Sequence, residues 1–168
     1  MKAFTKAIVI TGTPGTGKSA LARELSLLLH KDHLDVGLFI KSEGLAEGYD
    51  QKRDSRIVAV ERLNKALLSR IKASRRGLIV DSHMAHFLPA KAVSLCIVTM
   101  CSLKELQKRL QKRGYKAGKV RENLDAEIFG ICLNEAVELG HRVLVLDTTK
   151  KSPQNLAKTA KKVLDKKA

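Results

Sequence analysis

The eight residues Gly12-Thr13-Pro14-Gly15-Thr16-Gly17-Lys18-Ser19 constrain this chain more than any other stretch. They follow an apolar run, Ala7–Thr11 (AIVIT), and open a segment with helical spacing. They fit the pattern G-x-x-x-x-G-K-[ST] in the strand–loop–helix context that a phosphate-binding loop requires. Gly12, Gly15 and Gly17 let the backbone curl, so that successive N–H groups, that of Thr16 among them, point inward at a polyphosphate. The N-terminus of the following helix adds partial positive charge. Lys18 is then expected to neutralise the β- and γ-phosphates of ATP, and the Ser19 hydroxyl to ligate Mg²⁺.

Short, nearly continuous apolar runs alternate with longer helical patterns along the whole chain. Residues 7–11, 36–40 (VGLFI), 77–81 (GLIVD), 95–100 (LCIVTM) and 142–147 (RVLVLD) read as strands buried on both faces, which is the mark of a parallel sheet. Residues 17–30, 54–71, 103–112, 120–139 and 152–164 read as helices. In the second of these, Ile57, Val60, Leu63, Leu67 and Ile71 recur at three- and four-residue spacing and mark one face. The pattern predicts an α/β fold of three layers, a five-stranded parallel sheet with helices on both faces.

With 168 residues and no linker or low-complexity tract, a single domain over residues 1–168 is expected. The formal net charge of +15 predicts attraction to polyanions, whether nucleotides, RNA or an acidic partner. The excess is concentrated in residues 52–76, 102–122 and 150–168. The aromatic residues, from Phe4 to Phe129, do not interleave with basic ones, so base stacking on RNA is not supported. Cys96, Cys101 and Cys132 form no C-x-x-C pair, which points to a reducing compartment, cytoplasmic or nuclear. No apolar run has the length of a membrane span or a secretory leader.

A phosphate loop needs a second group to orient the metal, and Leu78-Ile79-Val80-Asp81 offers one at a strand tip. His83 lies two residues on, so it can face the same pocket and orient an attacking water or meet the transferred phosphoryl. His86 completes an H-x-x-H without an evident third ligand, which argues against a metal there. Further on, one helix stops at Gly114 and another begins near Val120, leaving a basic loop with Arg113, Lys116 and Lys119. Negative charge builds on the transferring phosphoryl group, so a mobile arginine closing over it suits the chemistry, Arg113 first and Arg109 next. Asn123 and Glu127 are expected to anchor that lid by hydrogen bonds.

Taken together, GTPGTGKS, GYD (residues 48–50), VDSH (80–83) with FLP (87–89), KRGY (112–115) and EN…AEI (122–128) resemble the adenylate kinase isoenzyme 6 family from about residue 7 to residue 147. The resemblance implies a nucleoside monophosphate kinase-like fold with a short lid over residues 112–122 and a monophosphate-binding region over residues 35–58. It implies ATP and Mg²⁺, AMP or another nucleoside monophosphate as acceptor, and ATP hydrolysis. It also implies a role in small-ribosomal-subunit maturation through the universal platform ribosomal protein of that subunit. By position, Gly15, Gly17, Lys18, Ser19, Ala20 and Arg113 would contact ATP, while Tyr49, Asp50, Arg53 and Arg56 fall in the monophosphate-binding region. Ala20 stands where a hydroxyl residue is expected, and residues 51–56 (QKRDSR) are basic where eukaryotic relatives are acidic. Arg53 and Arg56 therefore suit either an acceptor phosphate or rRNA. Three functions fit these residues: a nucleoside monophosphate kinase, an assembly ATPase that switches its grip on a ribosomal protein, and a small-metabolite kinase needing a carboxylate base.

Overall fold

The computed structural model describes residues 6–166; residues 1–5, Phe4 among them, and residues 167–168 lie outside that part. Five parallel strands form one sheet: β1 (Ala7–Thr11), β2 (Asp32–Asp35), β5 (Leu78–Asp81), β6 (Val93–Met100) and β7 (Val143–Asp147). Their spatial order is β2-β5-β1-β6-β7, with β1 hydrogen-bonded between β5 and β6. A separate antiparallel hairpin joins β3 (Gly48–Asp50) to β4 (Ser55–Ile57).

Strand residues alternate between two cores, which explains why the apolar runs are continuous. Ala7, Val9, Val80, Cys96 and Val98 face α2 (Val36–Ser42), α3 (Val60–Ala73) and α6 (Ile131–Glu138). Ile8, Ile10, Ile79, Leu95 and Ile97 face α1 (Lys18–Leu29) and α7 (Pro153–Asp165). The expected three-layer α/β architecture is present. A third, smaller core of Cys101, Leu106, Leu110 and Val120 holds α4 (Leu103–Lys112) against α5 (Ala117–Ile128). Cys96, Cys101 and Cys132 are unpaired.

Three expected elements differ. Residues 36–40 are helical, and the strand is the preceding Asp32–Asp35. A five-residue apolar run carries no period of its own, and the Asp35 carboxylate, accepting from the Leu38 amide at 3.0 Å, caps a helix there. β2 can be polar because it is an edge strand, paired only with β5. The helix expected over 54–71 starts at Val60, since residues 55–57 belong to the hairpin. The helix expected over 120–139 begins at Ala117 and is two helices, broken where Gly130 takes φ +59°. No helix among the described residues is long and apolar enough to cross a membrane.

Candidate active site

The phosphate loop joins β1 to α1 at the C-terminal end of the sheet, where ligands of open α/β sheets bind. It is stapled from beneath by residues far away in sequence. Thr16 Oγ1 lies 2.7 Å from both the Thr13 carbonyl and the Thr99 hydroxyl, and Thr99 Oγ1 donates to the Thr11 carbonyl at 3.2 Å. Gly12 takes φ +141°, and a Cβ there would stand 2.4 Å from the Thr99 carbonyl oxygen, so only glycine fits. The Thr148 hydroxyl donates to the Thr16 carbonyl at 2.7 Å. Lys18 Nζ donates to the carbonyls of Gly12 (2.8 Å) and Thr13 (3.0 Å), which holds its ammonium within the loop.

Lys18, Ser19, His83, Arg53 and Arg113 line one cleft of about 540 Å³. It continues into a recess of about 360 Å³, where Lys18, Ser19 and His83 meet Asp35, Arg56 and Asp81. On the far side of the loop, Gly15, Gly17, Ala20, Arg109, Arg113 and Thr148 line a third space of about 480 Å³ with the apolar Pro153 and Leu156. Arg113 therefore stands between two of these spaces, and Lys18, Ser19 and His83 between the other pair.

Electrostatics reflect this crowding. Burial pushes the Lys18 ammonium down to about 8, while Asp81 pulls it upward. His83 is pushed down to about 4 by burial and then by the charge of Lys18, so the imidazole is neutral at pH 7. Asp81 is buried, and its Oδ2 lies 3.4 Å from His33 Nε2 on the neighbouring strand. Ser19 and Asp81 share the smaller recess, and one hydroxyl with one carboxylate suits Mg²⁺, which keeps several waters and takes phosphate oxygens as further ligands. No group of three or more His, Cys, Asp or Glu residues with metal-binding geometry occurs among the described residues. His86 is instead held between Thr11 and Glu135.

The other candidate residues have structural partners. Arg109 is engaged as a brace: its guanidinium donates to Glu105 (2.9 Å), to the Thr148 hydroxyl (3.1 Å) and carbonyl (3.0 Å), and approaches the Gly15 carbonyl at 3.5 Å. Tyr49 and Asp50 shape the hairpin and do not line the central cleft. The Tyr49 hydroxyl donates to the Asp54 carboxylate, and Asp50 accepts from the amides of Lys52 and Arg53. Lid and hairpin touch: Lys119 Nζ donates to the Asp54 carbonyl at 2.8 Å, and Arg53 pairs with Glu122 at 3.7 Å. Glu127 anchors the lid helix to the end of β6 by accepting from the Cys101 amide (3.0 Å), whereas Asn123, also expected to anchor it, donates to the Lys119 carbonyl (2.7 Å) one turn back in the same helix. Residue spacing did not signal Thr99, Thr148, Glu135 or Cys132, because each comes to the site only through the folding of distant elements.

A family model described as "AAA domain" matches residues 8–130. A "Putative adenylate kinase" from Halobacterium salinarum is 37% identical over 161 residues, covering 94% of this chain and 89% of that protein. The "Adenylate kinase isoenzyme 6 homolog FAP7" of Saccharomyces cerevisiae is 33% identical over 159 residues, covering 94% and 79%. Among solved structures, shikimate kinase from Acinetobacter baumannii superimposes with a TM-score of 0.70 over 97% of this chain and 94% of that one; at 14% identity it speaks for the fold alone. With its phosphate loop, Asp-x-His strand end and lid around the cleft and the recess beside it, the chain belongs to the adenylate kinase isoenzyme 6 family of phosphate-loop kinases.

Proposed function

We propose that the protein transfers the γ-phosphoryl group of ATP to a nucleoside monophosphate, AMP before others, and also hydrolyses ATP. The observation that carries this reading is the meeting of Lys18, Ser19, His83 and Arg113 with the hairpin arginine Arg53 around one cleft. In it, donor phosphates rest on the amides of the loop and on Lys18, with the adenine of ATP in the space lined by Pro153 and Leu156. The acceptor phosphate faces Arg53 and Arg56, from the hairpin side. Mg²⁺, held by Ser19 and by Asp81 through water, would neutralise charge on the β- and γ-oxygens. Arg113 enters from the lid side, where negative charge grows during transfer. The acceptor is already an anionic oxygen, so no general base is needed. Neutral His83 orients water when the acceptor site is empty.

The same turnover is proposed to serve small-ribosomal-subunit maturation through the platform ribosomal protein, in the cytoplasm; the motif resemblance of the sequence and a net charge of +15 that suits a ribonucleoprotein surface support this reading. The small-metabolite reading is weaker, because the carboxylate it would use as a base, Asp81, is already committed beside Ser19 and His33. The test is an assay with MgATP, with and without each monophosphate, quantifying ADP and phosphorylated acceptor. ADP formed in equal measure with AMP consumed is the expected result. Phosphate release indifferent to AMP but raised by the ribosomal protein would favour the assembly switch. Lys18→Ala should abolish both activities, and His83→Ala should reduce hydrolysis more than transfer. Full turnover by Lys18→Ala would overturn the assignment.

A further inference from the structure

Two carboxylates stand in the wall of the central cleft. Glu122 is paired with Arg53. Glu135, on α6, is not paired with any arginine or lysine among the described residues; it sits near Met84, Phe87 and Ile131, with Asn123 in the same wall. A carboxylate in a phosphate-handling cleft repels the transferring groups, so its partner in the cleft has to be a hydrogen-bond donor.

Glu135 is held by a chain of hydrogen bonds that begins at the mouth of the phosphate loop. Thr11, the residue before Gly12, is fully buried, and its Oγ1 lies 2.7 Å from His86 Nδ1. His86 is 1% exposed, and its Nε2 lies 2.8 Å from Glu135 Oε2. A carboxylate only accepts, so Nε2 carries the hydrogen. Burial lowers the pKa of His86 and keeps the ring neutral. Nδ1 therefore presents a lone pair, and the Thr11 hydroxyl must donate to it. Donor and acceptor roles are thus set along the whole chain. Oε2 of Glu135 is used by His86, and no hydrogen bond from the described residues occupies Oε1. The flanking Met84, Phe87 and Ile131 offer apolar surface to a flat ring, whereas a ribose would call for several polar partners.

We infer that Glu135 is a specificity residue for the acceptor base: it accepts a hydrogen bond from the exocyclic amino group of a nucleobase lying against Met84, Phe87 and Ile131. The cleft then selects amino bases over oxo bases. Thr11 and His86 are positioning residues that set the direction of this contact. The inference rests on the monophosphate kinase reading and adds to it the identity of the group that is recognised.

Glu135→Gln provides the test, because the chain of hydrogen bonds predicts an inversion. The His86 Nε2–H should keep the glutamine carbonyl turned toward itself, so the amide NH₂ faces the cleft and offers a donor where an acceptor stood. With kcat/KM measured for AMP, IMP and purine riboside 5′-monophosphate (which lacks the amine), the variant should lose about 10- to 100-fold on AMP relative to the amine-free analogue. Its preference should swing from AMP toward IMP, whose 6-oxo group accepts. A parallel loss on all three acceptors would overturn the inference, as would unchanged ratios. A variant that instead loses its discrimination between AMP and 2′-deoxy-AMP would show that Glu135 reads the ribose, and would overturn it too. If the wild-type protein phosphorylates no monophosphate, the kinase reading itself fails, which is distinguishable from either result.

Discussion

Above pH 8 the free protein should lose affinity for MgATP in step with one proton. Lys18 is enclosed by the loop carbonyls it donates to, and burial lowers its pKa from the ordinary 10.5 to about 8. A polyphosphate in the loop supplies the counter-charge that the free protein lacks, so the lysine is protonated in the complex. At pH 9 about nine-tenths of the free protein has a neutral Lys18; the Kd is then about tenfold weaker than at pH 7, and binding takes up roughly 0.9 proton. Few other groups near the site interfere. Cys96 is pushed by burial up to about 12 and Cys101 to about 11, Cys132 is shifted upward, and His83 is neutral throughout. Calorimetry at pH 7, 8 and 9, in two buffers of different ionisation enthalpy, reads both quantities. Lys18→Arg keeps the charge and should flatten the pH dependence. A wild-type Kd that is constant from pH 7 to 9 without proton uptake would refute the reasoning; so would the same dependence in Lys18→Arg. The linkage also has a sign for folding: the unfolded chain keeps this proton up to about 10.5, so the Lys18 contribution to stability rises with pH between 8 and 10.5.

Three other outcomes are expected. Arg109→Ala should cost about 1–3 kcal/mol in urea unfolding, from the lost contacts to Glu105 and Thr148; a large loss of kcat at unchanged stability would restore it as a phosphate clamp. Gly12→Ala should destabilise the fold and abolish nucleotide binding, because its Cβ would collide with the Thr99 carbonyl at 2.4 Å; unimpaired binding by calorimetry would contradict the account of the loop. Leu106→Ala, emptying a fully buried site under the lid, should cost about 2–5 kcal/mol, and a loss below that range in urea unfolding would mean that the small third core collapses without a cavity.

Much of the molecule was legible in the order of its residues, wherever one short stretch carries the whole physical cause. The phosphate loop is contiguous, and its glycines, lysine and serine act through backbone that they themselves shape. Four of the five expected strands, Asp81 at a strand tip and the basic lid arise from apolar period and charge within single segments. Local pattern failed where tertiary context outweighed it: Val36–Ser42 is a helix because an edge strand tolerates the polar Asp32–Asp35, whose last carboxylate then caps the helix. Arg109 reads within its own helix as an arginine for the transferring phosphoryl, and only the β7–α7 connection, folded against it, supplies the Thr148 carbonyl and hydroxyl to which it also donates. The chain from Thr11 through His86 to Glu135 joins positions 75 and 49 residues apart. Side chains that distant share no sequence period, so their hydrogen bonds, and the direction in which those bonds point, exist only once the sheet has brought the ends of its strands together.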